Sequence, residues 1–217
     1  MFPERFDTKI RLCTDIIVTR TLAHTSLSAN LLTVLGSVMI LGSIYLLASG
    51  AFFWAGCLIL GASVFDMLDG AVARVKNETS RFGAFLDSTL DRYSEAFMFF
   101  GLLLYYQRTS HPSNEITLIY TSVVGSFLIS YIRARAEALG FDCKVGLLER
   151  PQRIILVVLG LLSGWTSIML WTLAILTHIT ALQRLIYVWR QSHQGETDHH
   201  SSGPKPTSAH KSARLLQ

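Results

Sequence analysis

Apolar residues fall along this chain in long unbroken runs, without the regular polar interruptions of a soluble helix or strand. "LLTVLGSVMILGSIYLLA" is followed closely by "FFWAGCLILGASVF", and further runs continue to about residue 189. A helix needs roughly 20 mostly apolar residues to cross a bilayer. On that measure the pattern predicts six spans, at about 28–48, 51–73, 82–107, 114–135, 153–166 and 167–189. The fifth is short and ends in a tight turn at Gly164. The two ends of the chain read differently. "MFPERFDTKIRLCTDIIVTR" interleaves charge with apolar residues, which predicts an amphipathic helix on the membrane surface within residues 1–25 and no cleavable signal. From Ser192 the chain is rich in Ser, His, Gly, Pro and Lys, which cannot bury a core, so residues 191–217 are expected to form a disordered cytoplasmic tail. The fold class is therefore an all-α integral membrane protein, six transmembrane helices over residues 26–190 preceded by a juxtamembrane amphipathic helix.

Composition agrees, with 50% hydrophobic and only 16% charged residues and a mean hydropathy of +0.39. Charge adds an orientation. Arg74, Lys76 and Arg81 follow the second span, Arg133, Arg135, Lys144, Arg150 and Arg153 cluster around the fourth and fifth, and Arg5, Lys9, Arg11 and Arg20 lie at the start. Only Arg108 falls on the other side. The positive-inside rule then puts both termini in the cytoplasm of a multi-pass cell-membrane protein. The net charge of +4 belongs to loops beside anionic headgroups, and with no aromatic or motif support a nucleic-acid partner is not expected. Cys13, Cys57 and Cys143 show neither disulfide nor metal spacing. Trp54, Trp165 and Trp189 lie near span ends, where indole rings anchor to the interface.

Against this background the stretch "DMLDGAVARVKNETSRFGAFLDSTLD" is anomalous. Asp66, Asp69, Gly70, Ala73 and Arg74 are three and four residues apart and share a helix face at the cytoplasmic end of the second span. Gly83, Asp87 and Asp91 repeat every four residues along the first turns of the third. A short polar loop makes the two helices antiparallel neighbours, so four carboxylates converge. Each costs roughly 2.5–3.5 kcal/mol at a helix centre in a bilayer and somewhat less near an end, roughly 10 kcal/mol in all before mutual repulsion, so countercharge is required. Arg74 and Arg92 supply part of it. Converging carboxylates suit Mg²⁺, which favours oxygen ligands shared with substrate phosphates, and the small Gly70 and Ala73 admit a bulky ligand close to the backbone. Two other readings compete: a helix pair held by aspartate–arginine bridges, and a cation path, against which stands the clustering of the acids at one end.

The spacing Asp66-x2-Asp69-Gly70-x2-Ala73-Arg74-x8-Gly83-x3-Asp87-x3-Asp91 resembles, position for position, the signature of the CDP-alcohol phosphotransferase family, and the resemblance covers about residues 26–190. It implies a homodimer with two divalent ions, Mg²⁺ or alternatively Mn²⁺, that moves a phosphatidyl group from CDP-diacylglycerol to an alcohol and releases CMP. Asp66, Asp69, Asp87 and Asp91 would be metal ligands and Asp91 also the catalytic general base. Gly70, Ala73 and Arg74 would surround the CDP group with Asp69. "SLSANLLTVLG" adds Asn30 and Thr33 to the CDP-lipid contacts, with Ala29 where the family usually has proline.

The acceptor is read from the remaining cytosolic basic residues. Arg133, Arg135, Arg150 and Arg153 exceed what an uncharged alcohol requires, and arginine forks suit phosphate, so a phosphorylated acceptor is expected. "RARAE" and "ERPQR" resemble segments of the phosphatidylinositol-phosphate synthase branch, which implies inositol 1-phosphate. Glycerol 3-phosphate is the alternative acceptor, and anchoring at headgroups is the alternative role for the arginines. Glu149 is read as orienting Arg150, and Glu95, one turn past Asp91, as making a hydrogen bond within the bundle. A UbiA-like prenyltransferase and a non-catalytic membrane scaffold remain as rival functions.

Overall fold

The computed structural model describes residues 29–75, 80–109 and 113–201, without the side chains of residues 29–31, 69, 73, 74, 113 and 194–201. The expected amphipathic helix lies outside the described residues. Six α-helices follow in order: α1 (Ala29–Ala48), α2 (Phe52–Val75), α3 (Arg81–Tyr106), α4 (Ser113–Ala138), α5 (Arg150–Ser163) and α6 (Thr166–Ser201). They coincide with the six apolar runs, with shifted edges. α5 starts three residues earlier than expected because Pro151 occupies its first turn, where proline costs no hydrogen bond. α6 continues to Ser201, past the boundary at residue 190, because extending an established helix is far easier than nucleating one.

Three stretches are long and apolar enough to cross a membrane among the described residues, Phe52–Val72, Asn114–Ala138 and Thr166–His193, and Leu32–Ala48 is a shorter apolar helix. α3 has the length but carries Asp87, Asp91 and Arg92 in its first half and Glu95 just past its midpoint. α5, with 14 residues, reaches only about 21 Å at 1.5 Å per residue. Large apolar side chains also face outward, among them Tyr45, Trp54, Tyr120, Tyr131, Trp165 and Trp189, each more than half exposed, as on a bilayer-facing surface.

Helix contacts close into a ring: α1 packs on α2, α2 on α5, α5 on α6, α6 on α4, α4 on α3, and α3 back on α1. Leu47, Ile59, Met98, Leu102, Leu161, Leu170 and Leu173 fill its apolar interior. α3 and α5 face one another across the ring without close backbone contact. The turn at Gly164 is as expected: its φ of 76° is left-handed and caps α5.

Candidate functional site

The acidic helix pair meets at one end of the ring. Ser80 caps α3, its hydroxyl accepting a hydrogen bond from the Gly83 amide at 2.9 Å. A Cβ on Gly83 would stand 3.0 Å from that oxygen, which explains a glycine here: it leaves the cap undisturbed. With the start of α3 fixed, the four-residue period directs Asp87 and Asp91 toward α2. Asp66, Asp87 and Asp91 each offer a carboxylate oxygen, and the three lie within 4.8 Å of one another. Thr33, Gly36 and Ser37 of α1, Ser63 and Asp66 of α2, Asp87, Asp91 and Ser94 of α3, and Arg150 and Ile154 of α5 line the cleft.

Arg150 crosses the cleft and pairs with two of the acids. Its guanidinium donates to Asp66 Oδ2 at 2.8 Å and reaches Asp91 Oδ1 at 2.6 Å. Arg92 lies 3.8 Å from the other oxygen of Asp91 and donates to the Ser88 carbonyl. Asp91 is the most enclosed of this group, its side chain 12% exposed, whereas Asp87 is open to solvent.

Of the expected CDP-lipid contacts, Thr33 lines the cleft and Gly70 stands on α2 one turn past Asp66. The side chains of Asn30, Asp69, Ala73 and Arg74 lie outside the described residues, although their backbones belong to α1 and α2. The four expected acceptor arginines separate. Arg150 faces the acids. Arg133 pairs with Glu137 at 2.8 Å near the end of α4, and Arg135 is exposed with no polar partner among the described residues. Arg153 departs from the expectation: it is 2% exposed, with its guanidinium committed to Glu95 and to the Leu148 carbonyl. Glu149 also departs, lying 3.8 Å from Arg184 instead of steering Arg150.

Arg184 is not among the expected site residues. Buried on α6, it donates to the Val145 carbonyl at 2.7 Å and to the Ile129 carbonyl at 2.7 Å. Beside it the Thr180 hydroxyl accepts from the Leu148 amide. These bonds pin the α4–α5 loop to α6 and so fix where α5 begins. An arginine inside an apolar helix was the signal available, because such a residue must satisfy its donors internally.

Three converging carboxylates with serine and threonine hydroxyls nearby form a hard oxygen donor set that fits Mg²⁺ or Mn²⁺. Fold and cleft together define a helical membrane protein whose bundle opens at one end onto an acidic, cation-compatible site. The family model for CDP-alcohol phosphatidyltransferase matches residues 26–182. The chain belongs to that family, whose members are enzymes that work with divalent metal ions. It is similar to phosphatidylinositol phosphate synthase of Mycobacterium tuberculosis, 38% identical over 184 residues that cover 79% of this chain and 84% of the relative. Archaetidylinositol phosphate synthase of Methanothermobacter thermautotrophicus is 34% identical over 172 residues, 76% of this chain and 85% of that one. The solved M. tuberculosis synthase with CDP-DAG bound superposes with a TM-score of 0.73 at 36% identity, covering 81% of this chain and 93% of that chain. The same synthase in complex with manganese and citrate gives 0.74 at 36% identity, covering 81% and 88%. Family membership removes the prenyltransferase reading.

Proposed function

We propose that this chain transfers the phosphatidyl group of CDP-diacylglycerol to inositol 1-phosphate, releasing CMP, at the cytoplasmic end of its helix ring. The convergence of Asp66, Asp87 and Asp91 in one cleft carries this reading, and the relatives' names supply the substrates. Those three acids and Asp69 would hold two divalent ions, Mg²⁺ or Mn²⁺. Bound there, the ions would supply positive charge to the diphosphate and the CMP leaving group.

The chain's own groups do the rest. Asp91 accepts the proton of the acceptor hydroxyl as that oxygen bonds to the phosphatidyl phosphorus and the bond from phosphorus to the CMP oxygen breaks. Its enclosure between Arg150 and Arg92 keeps the carboxylate away from bulk water. Asn30, Thr33, Asp69, Gly70, Ala73 and Arg74 would cradle the CDP group. Arg150 would exchange its carboxylate partners for a substrate phosphate, and Arg133 and Arg135, at the end of α4, would draw in the acceptor phosphate. The acyl chains stay in the bilayer beside the ring. Six membrane crossings, cytoplasmic termini and a homodimer complete the proposal, resting on the distribution of basic residues and on the family.

The test is CMP release from CDP-diacylglycerol by the purified protein with Mg²⁺, offered inositol 1-phosphate, glycerol 3-phosphate, free inositol or serine, with an EDTA control. Metal-dependent release that requires inositol 1-phosphate is expected. Release with glycerol 3-phosphate alone would overturn the acceptor, and release with none of the four would favour the scaffold reading.

A further inference from the structure

Arg150 is paired with the very acids that the proposed chemistry gives to metal ions. Its Nη1 donates to Asp66 Oδ2 at 2.8 Å and its Nη2 lies 2.6 Å from Asp91 Oδ1. One guanidinium thus bridges two of the three residues whose carboxylate oxygens come within 4.8 Å of one another. The third edge of the fork is idle: Nε is buried and has no hydrogen-bond partner among the described residues. An unpaired buried donor costs free energy, so the acids do not satisfy this side chain fully, whereas a phosphate offers oxygens to the whole fork.

Charge decides which partner the carboxylates keep. Asp66, Asp69, Asp87 and Asp91 carry four negative charges when ionised, and Arg150 returns one. Two divalent ions would return all four, leaving Arg150 little net attraction to the cluster and fewer free oxygens to donate to. We propose that Arg150 is an internal countercation: it neutralises the acid cluster until divalent ions take its place, and their binding frees its guanidinium for the acceptor phosphate. Metal loading and acceptor binding are thereby coupled through one side chain, each tightening the other by the same factor. An acceptor meets a receptive arginine only once the cleft holds its ions. The inference rests on the transferase reading above for the identity of the acceptor, and on the geometry of the cleft alone for its metal test.

The metal test follows Mn²⁺ binding to chelator-stripped, full-length protein by electron paramagnetic resonance, with no substrate present. Arg150→Ala is expected to tighten Mn²⁺ binding by at least about 10-fold, because it removes a competitor for the same carboxylates. Arg92→Ala is the control for charge alone. Arg92 stands 3.8 Å from Asp91 Oδ2 and bridges no second acid, so its loss should change the affinity by less than about threefold. Where Arg150→Ala fails to fold, Arg150→Gln replaces it with the same expected tightening. Unchanged or weaker Mn²⁺ binding in the Arg150 variant, or equal tightening by Arg92→Ala, overturns the proposal. The phosphate test measures inositol 1-phosphate binding by calorimetry with and without Mn²⁺. Wild type should bind at least about 10-fold more tightly with the ion, and Arg150→Ala should lose most of that gain. A gain that survives Arg150→Ala would mean that the coupling does not run through Arg150. A protein that shows the Mn²⁺ tightening but releases no CMP with any acceptor would sink the transferase reading and leave the countercation standing.

Discussion

At the end of the ring where α1 turns into α2 and α5 into α6, aromatic rings and neutral hydroxyls join the helices. Phe52 meets Tyr105 edge to face at 4.7 Å, and the Tyr106 hydroxyl is 2.7 Å from the Thr166 hydroxyl. Gly50, with φ of 82°, leaves room for the Tyr105 ring, which a Cβ would approach to 2.7 Å. At the cleft end charged side chains span the gap between α3 and α5. The same six helices are thus joined by neutral packing at one end and by ion pairs at the other. Carboxylates are poor glue in a membrane, so their presence at the cleft end points to chemistry, and the stability of the bundle resides mainly at the neutral end.

That contrast can be attacked from both ends. The largest expected effect is at the cleft: Asp66→Asn with Asp87→Asn should weaken Mn²⁺ binding, followed by electron paramagnetic resonance, by at least about 100-fold while the melting temperature barely moves. Next comes a change at the neutral half. A Cβ at Gly160 would stand 2.5 Å from the Met169 Cβ, so Gly160→Leu should cost about 1–3 kcal/mol, read as a lower melting temperature in the same detergent, with KM for both substrates unchanged in the folded fraction. Gly164→Ala, forced into a left-handed conformation with open space around it, should cost only about 1–2 kcal/mol in the same measurement. Smallest is Arg135→Ala, which should raise the KM for inositol 1-phosphate by about fivefold with kcat unchanged, in steady-state CMP release. A fall in folded yield with unaltered KM would return Arg135 to headgroup anchoring.

Much of this architecture was legible because two periodicities do not depend on context. Long apolar runs marked all six helices, and the four-residue repeat of Gly83, Asp87 and Asp91 put acids on one face wherever α3 packed. What escaped were choices among chemically equivalent residues. Nothing in "ERPQR" says that Arg150 reaches into the cleft while Arg153 turns into the core; that depends on where α5 meets α3, and on Glu95 being there to receive it. Pro151 concealed the start of α5 in the same way, since proline marks a boundary without saying on which side the helix lies. The anchoring of the α4–α5 loop by Arg184 and Thr180 joins residues more than 30 positions apart, beyond the reach of local spacing.

The central claim is that the acids serve the reaction and not the fold, and Asp91→Asn tests it most directly. Wild type and variant would be compared in one preparation for melting temperature, CDP-diacylglycerol binding and Mg²⁺-dependent CMP release. The expected result is an unchanged melting temperature and measurable binding with turnover reduced by at least about 100-fold, the scale of a lost general base. Turnover close to wild type, or a variant that loses its fold along with its activity, would contradict it.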